Sequence, residues 1–226
     1  NIEQTNIALY RKRIAGTGDY TRGKKIIDLK GGYLVPGFID AHLHIESSML
    51  HPAQYARAVI PRGTSSVITD LHEITNVSGL DGIEFVMKWA RSLPLDMFFM
   101  VPSCVPATHM ETSGAEIKDS DIKALLKRKN VIGLGEMMNF PGVNMNDEGI
   151  RRELAETMKA GKVVGGHYAS PDLGLPFHGY VAGGPADDHE CTRTMDAVAR
   201  VRQGMRAMLR LGSAWHDVAS QVKAIT

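Results

Sequence analysis

The stretch from Val35 to Glu46 is VPGFIDAHLHIE, and it contains two histidines one residue apart, His42 and His44. A Pro-Gly turn is followed by an apolar run, which predicts a buried strand with the two histidines near its C-terminal end. Side chains at positions i and i+2 of a strand point to the same face. Both imidazoles can therefore bind one ion, while Leu43 points the other way into the core. In barrels of parallel strands, functional sites are built at this end of the strands.

The composition is that of an ordinary globular protein of 226 residues, 43% of them hydrophobic, with a formal net charge of +1. A chain of this length can bury a sizeable core. The balanced charge predicts no partner among nucleic acids or membrane surfaces, and no apolar run is long enough for a membrane span. The two cysteines, Cys104 and Cys191, lie far apart and match no metal-binding spacing, so we expect a cytoplasmic protein.

Beyond residue 37, apolar segments typical of buried parallel strands alternate with helical patterns. This alternation predicts an α/β fold of right-handed βα units, and seven strands predict a (β/α)8 barrel that is incomplete at its C-terminus. The first strand ends at the two histidines. The other strands are expected at 65–70, 97–101, 131–136, 162–167, 185–189 and 206–210.

Helices are expected between these strands. Pro52 suits the first turn of one helix, Ser120 the N-cap of a second, and Ser213 the start of a third that reaches the end of the chain. Further helices are indicated near 83–90, 150–161 and 192–204.

The first 36 residues show a different pattern, in which short β segments are separated by glycine turns. We expect strands at 7–10, 25–29 and 32–35, which would form part of a small β-sandwich. The predicted domains are therefore a partial sandwich over residues 1–36 and a barrel lacking its last strand over residues 37–226.

Polar side chains follow several of the predicted barrel strands: His42, His44, Glu136, His167 and His189. Because the carboxyl ends of barrel strands meet at one face, we expect these side chains to converge. Imidazoles with a carboxylate suit Zn²⁺, Mn²⁺ or Fe²⁺ better than Mg²⁺ or Ca²⁺, and a carboxylate can bridge two ions. Taken alone, Glu136 would equally suit a solvated loop, but beside four such histidines the sequence predicts a metal ligand.

The segments around these residues are more specific. The histidine pair continues as IESSM over 45–49. Further segments are DLHEITNV at 70–77, PSCVPAT at 102–108, ETSGA at 111–115, GLGEMMN at 133–139 and DHECT at 188–192. Together, from about residue 20 to the end, the chain resembles the adenine deaminases of the amidohydrolase superfamily.

The resemblance implies a metal-dependent hydrolase barrel with a flanking β-sandwich, which converts adenine to hypoxanthine and ammonia in purine salvage. It implies a centre of Mn²⁺ or Fe²⁺, expected to be binuclear and with Zn²⁺ as a further candidate, held by His42, His44, Glu136, His167 and His189. Glu190 is a candidate proton carrier, or alternatively a partner for a nearby Arg or Lys. His72, Glu73 and Glu111, on loops after the second and third strands, are candidates for contact with the purine.

The chain departs from that family in two places. Family members have an eighth strand with a metal-binding, acid–base aspartate and a further C-terminal region, whereas this chain ends at Thr226. We therefore expect a piece of a longer, homo-oligomeric protein, with little catalysis from this chain alone. The segment 168–175 also differs from the family's usual run. The alternatives are an amidohydrolase of another specificity, such as a cyclic amidase, and a metal-binding protein without activity.

Overall fold

The computed structural model describes residues 3–225, and the chain divides into two units, Asn1–Pro36 and Gly37–Thr226. In the first unit, strands β1 (Asn6–Tyr10) and β2 (Arg13–Gly18) form an antiparallel hairpin. The strand expected at 7–10 is confirmed, but the strands expected at 25–29 and 32–35 are wrong, because these residues have no strand pairing. The β-sandwich assignment of residues 1–36 stays a prediction.

The second unit is built on a five-stranded parallel sheet whose strands lie in chain order. The strands are β3 (Phe38–Leu43), β4 (Thr64–Asp70), β5 (Asp96–Pro102), β6 (Val131–Met137) and β7 (Val163–Gly166). Parallel neighbours in chain order need a crossover after each strand, and helices occupy these connections. The predicted α/β class and incomplete barrel are confirmed.

Two shorter strands, β8 (Asp187–Asp188) and β9 (Arg206–Ala207), pair with each other in parallel. The backbone N–H of Ala186 donates to the carbonyl of Val164 over 2.9 Å, which joins this pair to β7. The sixth and seventh predicted strands therefore exist, but each is shorter than expected.

The helices alternate with the strands. They are α1 (Pro52–Val59), α2 (His72–Ala90), α3 (Asp119–Leu125), α4 (Phe140–Asn144), α5 (Glu148–Lys159), α6 (Leu175–Ala182), α7 (Thr194–Arg202) and α8 (Val218–Gln221). Among the described residues, none of these helices combines the length and the apolar character needed to cross a membrane.

Two predicted helix starts are wrong. Ser120 lies inside α3 rather than at its N-cap, because the carboxylate of Asp121 accepts a hydrogen bond from the N–H of Lys118 over 3.1 Å and starts the helix earlier. Ser213 begins no helix, because Leu211 and His216 form an isolated antiparallel bridge across this segment.

The first barrel strand, β3, is less buried than its apolar sequence predicts. Phe38 is 64% exposed and Ile39 is 66% exposed, because β3 forms one edge of the five-stranded sheet. The expectation of a buried strand is therefore wrong for its first half. Leu43 does pack against the core, as expected from its position between the two histidines.

The core lies where the strands face the helices. Val67, Phe99, Leu134 and Val164 come from four adjacent strands, and each is at most 1% exposed. Ile150 and Leu154 of α5 are also buried, which the four-residue spacing of apolar residues predicts. The Asp147 carboxylate caps this helix by accepting from the N–H groups of Gly149 and Ile150. This rigid layer carries the carboxyl ends of the strands.

Glu153 is a half-buried carboxyl group on α5, among acidic neighbours. Its Oε2 atom is buried and finds no hydrogen-bond partner within residues 3–225. Burial, together with the charges of Asp119 and Asp147, outweighs the opposing charge of Arg152 and raises the pKa of Glu153 to about 8.

The variant Glu153→Gln replaces the carboxyl group by an amide. Its stability relative to the wild type should increase as pH rises. The unfolded side chain ionises near pH 4.5, whereas the folded one keeps its proton until about pH 8, so the wild type loses stability across this window. Below this window, ionisation should cause no difference in the free energy of unfolding between variant and wild type. At its upper end, the variant's free energy of unfolding should be higher by on the order of 1–3 kcal/mol, measured by urea unfolding. Glu148→Gln, at an exposed site of the same helix, is the control. A stability difference that is independent of pH would contradict the prediction.

Candidate metal centre

The carboxyl ends of the strands bring four histidines around one carboxylate. Glu136, at the end of β6, is 3% exposed. Its Oε1 atom lies 2.9 Å from Nε2 of His42 and 2.8 Å from Nε2 of His44. Nε2 of His189 is 3.4 Å from the same oxygen, and Nδ1 of His167 is 3.1 Å from Oε2. The five residues predicted to converge therefore lie in one cluster, which we call the histidine cluster.

The backbone of the neighbouring strand orients one of these rings. Nδ1 of His44 lies 3.1 Å from the carbonyl oxygen of Asp70, the last residue of β4. Because a carbonyl can only accept, Nδ1 carries the proton in the neutral ring. The lone pair is then on Nε2, the nitrogen that faces Glu136.

The histidine cluster has the donor atoms and the unsatisfied polar groups of a cation site. Nε2 of His42, Nδ1 of His167 and Oε1 of Glu136 are buried and, within the described chain, make no hydrogen bond despite their short contacts. Leaving such atoms unpaired is costly. Two triads that share Glu136, one with His42 and His44 and one with His167 and His189, each have ligand atoms within 4.8 Å of one another. The arrangement suits a divalent metal.

The surroundings favour the ligand-competent forms of Glu136 and His189, but they favour the protonated form of His44. Burial acts to raise the pKa of Glu136, but its histidine neighbours, chiefly His167, outweigh burial and lower that pKa. Burial, followed by the proximity of His42, lowers the pKa of His189 to about 2. Burial opposes protonation of His44, but the Glu136 carboxylate outweighs it and raises the pKa of His44 to about 9. A metal must therefore displace a proton from His44 but none from His189.

The loop position expected for His72 and Glu73 is wrong. Both residues form the first turn of α2, because this helix begins only one residue after β4 ends. Nδ1 of His72 lies 3.9 Å from Oε2 of Glu136 and 3.4 Å from Oδ1 of Asp70, so His72 borders the histidine cluster. The Glu73 carboxylate accepts a hydrogen bond from the Ser47 hydroxyl over 2.6 Å.

Glu111 lies on a loop, as expected, but its surroundings are local. The residue is exposed, and its carboxylate accepts a hydrogen bond from the N–H of Ala107 in the same loop over 3.3 Å. Within the described part of the chain, no hydrogen bond or ion pair joins Glu111 to the histidine cluster.

Glu190 is paired with an arginine, as one of its two interpretations predicts, and its role as a proton carrier stays a prediction. Its Oε1 atom lies 3.6 Å from Nε2 of His189 and 4.0 Å from Nδ1 of His167. The same carboxylate forms an ion pair with Arg210. Arg210 also pairs with Asp217 over 3.1 Å, so a positive charge holds Glu190 at the border of the histidine cluster.

Sequence reasoning missed four buried polar residues around the cluster: Asp70, Tyr180, Asp188 and Arg200, each at most 1% exposed. Asp70 and Asp188 stand at the ends of strands inside the motif segments, so their positions could have drawn attention. Tyr180 lies on α6, whose residues are apolar on nearly every side and show no helical period. Arg200 lies on α7 among other charged residues, and nothing in the sequence distinguishes it as buried.

Residues 33–212 match the sequence model of the amidohydrolase family. The chain belongs to the amidohydrolase family. The parallel sheet and the histidine cluster at its carboxyl end lie within the matched residues.

The curated relatives of this amidohydrolase agree with the motif segments. A protein of Mesorhizobium japonicum named adenine deaminase is 54% identical over 100% of this chain and 38% of its own length. A protein of Rhizobium meliloti named adenine deaminase 3 is 58% identical over 90% of this chain and 34% of its own length. The predicted resemblance to adenine deaminases is confirmed. The chain spans little more than a third of the length of these relatives.

A solved structure is similar in fold to this amidohydrolase. The β-aspartyl dipeptidase of Fervidobacterium islandicum, a crystal structure with a β-Asp-Leu dipeptide, matches 99% of this chain and 65% of its own chain. The TM-score is 0.55 and the sequence identity is 14%, so the likeness concerns the fold.

Removing one predicted ligand, as in His42→Ala, should weaken binding of a divalent metal by at least about 10-fold, because the Glu136 triad with His44 would lose a nitrogen donor. Elemental analysis after equilibrium dialysis against Mn²⁺ measures the bound metal. His109→Ala, at an exposed loop position, should bind as the wild type does. Equal metal content in all three proteins would contradict the ligand role of His42.

Proposed function

We propose that this amidohydrolase catalyses the metal-dependent hydrolytic deamination of adenine to hypoxanthine and ammonia, a reaction of purine salvage. The observation that carries the proposal is the 50–58% identity, over at least 89% of this chain, to relatives named adenine deaminase. The histidine cluster supports the proposal because it supplies donor atoms suited to hydrolytic chemistry. On this proposal the substrate is a small purine, and the full-length protein is a cytoplasmic homo-oligomer.

The proposed metal centre is binuclear, with Mn²⁺ or Fe²⁺ as the first candidates and Zn²⁺ as the next. His42 and His44 would hold one ion, His167 and His189 the other, and Glu136 would bridge them. A carboxylate with imidazoles is a donor set that these ions accept. The sharing of Glu136 between two triads supports this division of ligands.

The reaction adds water to the amino-bearing ring carbon of adenine. It then breaks the bond from that carbon to the amino nitrogen outside the ring, which leaves as ammonia. When bound, divalent ions lower the pKa of water and make it nucleophilic near neutral pH. Glu190 is proposed to accept a proton from the water and to deliver it to the departing amine. Its ion pair with Arg210 holds the carboxylate in place, and its position near His167 and His189 puts it beside the proposed metal ligands.

The purine contacts are proposed for His72, Glu73 and Glu111. His72 supports this role best, because its ring lies 3.9 Å from the Glu136 carboxylate at the border of the histidine cluster. Glu73 follows it on the first turn of α2. Glu111 would contact a substrate from the exposed loop that contains it.

The altered segment 168–175 was the basis for considering another specificity, and its first residue faces inward. Tyr168 is 0% exposed and packs against Phe177 and Tyr180, with ring centroids 5.2 Å apart in each pair. Because Tyr168 packs in the core, its altered identity is a weaker reason to expect the substrate specificity of a cyclic amidase. A cyclic amidase and a metal-binding protein without activity are both outcomes of the test below.

Ammonia release tests the proposal directly. The full-length protein loaded with Mn²⁺ or Fe²⁺ should release ammonia from adenine and not from adenosine or cytosine, as measured by a coupled ammonia assay. It should leave a cyclic amide unopened, as measured by chromatography, because opening such a ring releases no ammonia. Hydrolysis of the cyclic amide without release from adenine would replace the deaminase by the cyclic amidase. Two bound ions without turnover of any substrate would support the inactive metal-binding protein.

The proton-transfer role of Glu190 makes a separate prediction. Glu190→Gln should lower kcat for adenine by about 10²–10⁴, because positioned acid–base groups contribute roughly that factor. Metal content should stay unchanged. Glu84→Gln removes another glutamate that is paired with an arginine, Arg128, and should leave kcat unchanged. A Glu190→Gln variant with wild-type kcat would assign Glu190 only the structural pairing with Arg210.

A further inference from the structure

A hydroxyl group connects the strand ends that carry Glu136 and His167. Tyr180, on α6, is 0% exposed. Its hydroxyl donates to the carbonyl of Met137 over 2.8 Å and accepts from the N–H of His167 over 2.8 Å. Met137 directly follows Glu136, so one side chain ties the backbone beside the carboxylate to the backbone of the histidine.

A buried ion pair makes the next connection, between the strand ends that carry His167 and His189. One oxygen of Asp188, Oδ1, accepts from the N–H of Glu190 over 2.8 Å and from the N–H of Tyr168 over 3.4 Å. The other oxygen, Oδ2, accepts from Nε of Arg200 over 2.9 Å. Arg200 in turn donates from Nη2 to the carbonyl of Tyr168 over 2.9 Å.

These bonds act on the neighbours of the histidines rather than on the histidines' rings. Tyr168, which follows His167, is held through both its N–H and its carbonyl. Glu190, which follows His189, is held through its N–H. The backbone on one side of each histidine is therefore fixed to the same Asp188–Arg200 pair.

Stability alone does not explain why this ion pair is buried. Asp188 is 0% exposed and Arg200 is 1% exposed, and taking two such charges out of water is costly. Apolar residues of similar volume are often as stable in such a place. What apolar residues cannot do is donate to one backbone carbonyl and accept from two backbone N–H groups, and these contacts determine the spacing of the strand ends.

We propose that Tyr180, Asp188 and Arg200 are positioning residues that set the separation of Glu136, His167 and His189 for one divalent ion. The inference rests on the metal centre proposed above, and it adds residues that touch neither metal nor substrate. Ligands must be held to within about 0.5 Å for tight binding, and supporting groups behind a ligand are typically worth 10–100-fold in metal affinity.

The test removes one oxygen atom. Tyr180→Phe deletes the hydroxyl that joins the two strand ends and keeps the buried ring. Tyr168→Phe is the matched control: this tyrosine is also 0% exposed, its ring lies 5.2 Å from that of Tyr180, and its hydroxyl donates to the carbonyl of Asp172 in its own loop. Both variants lose one buried hydroxyl, so a general loss of packing affects both.

Co²⁺ is the probe, because its visible absorption reports the geometry of its ligands as well as its affinity. In Tyr180→Phe we expect the ion held by His167 and His189 to bind about 10-fold more weakly, with an altered spectrum. The ion held by His42 and His44 should be affected less, through the Glu136 ligand that both ions share. Tyr168→Phe should reproduce the wild-type titration and spectrum. Thermal unfolding of the metal-free proteins should show that both variants are folded, with Tyr180→Phe the less stable, because its lost hydroxyl made two hydrogen bonds and that of Tyr168 made one.

The outcomes separate the two proposals. The positioning role would be overturned, and the metal centre left intact, if the wild type binds two ions and Tyr180→Phe shows unchanged affinities and an unchanged spectrum. Equal weakening in Tyr180→Phe and Tyr168→Phe would assign the effect to packing and would also overturn it. A wild type that binds no Co²⁺ would overturn both proposals.

Discussion

The carboxylate of Glu136 lies 3% exposed among the nitrogens of four histidines, at distances of 2.8 to 3.4 Å. An ionised carboxylate in such a place needs compensating positive charge or hydrogen bonds. Within residues 3–225, Nε2 of His42, Nδ1 of His167 and Oε1 of Glu136 are buried without a hydrogen-bond partner, so the electrostatic balance of the site depends on a cation or on protons. Much of the surrounding structure can be understood as the means of holding this carboxylate and its neighbours in place.

The parallel sheet supplies the first part of that support. The carboxyl ends of β3, β6 and β7 lie at the same end of the sheet. His42, Glu136 and His167 are in these strand ends or directly after them, so little chain separates the sheet from their side chains. A site built on strand ends inherits the rigidity of the ladder, whereas one built on long loops must be ordered separately. The edge position of β3 leaves its outer residues exposed, yet its inner end is still packed by Leu43.

The second part of the support comes from polar groups in the interior. The carbonyl of Asp70 orients His44, the hydroxyl of Tyr180 ties β6 to β7, and the Asp188–Arg200 pair ties the segment after β7 to the segment after β8. Each of these groups bonds to backbone or to a ligand-bearing segment. Buried charge is thus concentrated around the histidine cluster, where geometry matters most.

The sequence by itself determined the order of the barrel strands beyond residue 37 and the five residues of the histidine cluster, but it did not predict helices α4 and α6. The strands and the cluster could be predicted because strand periodicity and the position of polar residues at strand ends are local properties. The strands expected at 25–29 and 32–35, and the burial of Phe38, were wrong because pairing and exposure depend on distant neighbours. Tyr180 and Arg200 carried no local signal either. Only the tertiary structure shows them as buried partners of the strand ends, because their hydrogen bonds join residues 12 to 43 positions apart in the chain.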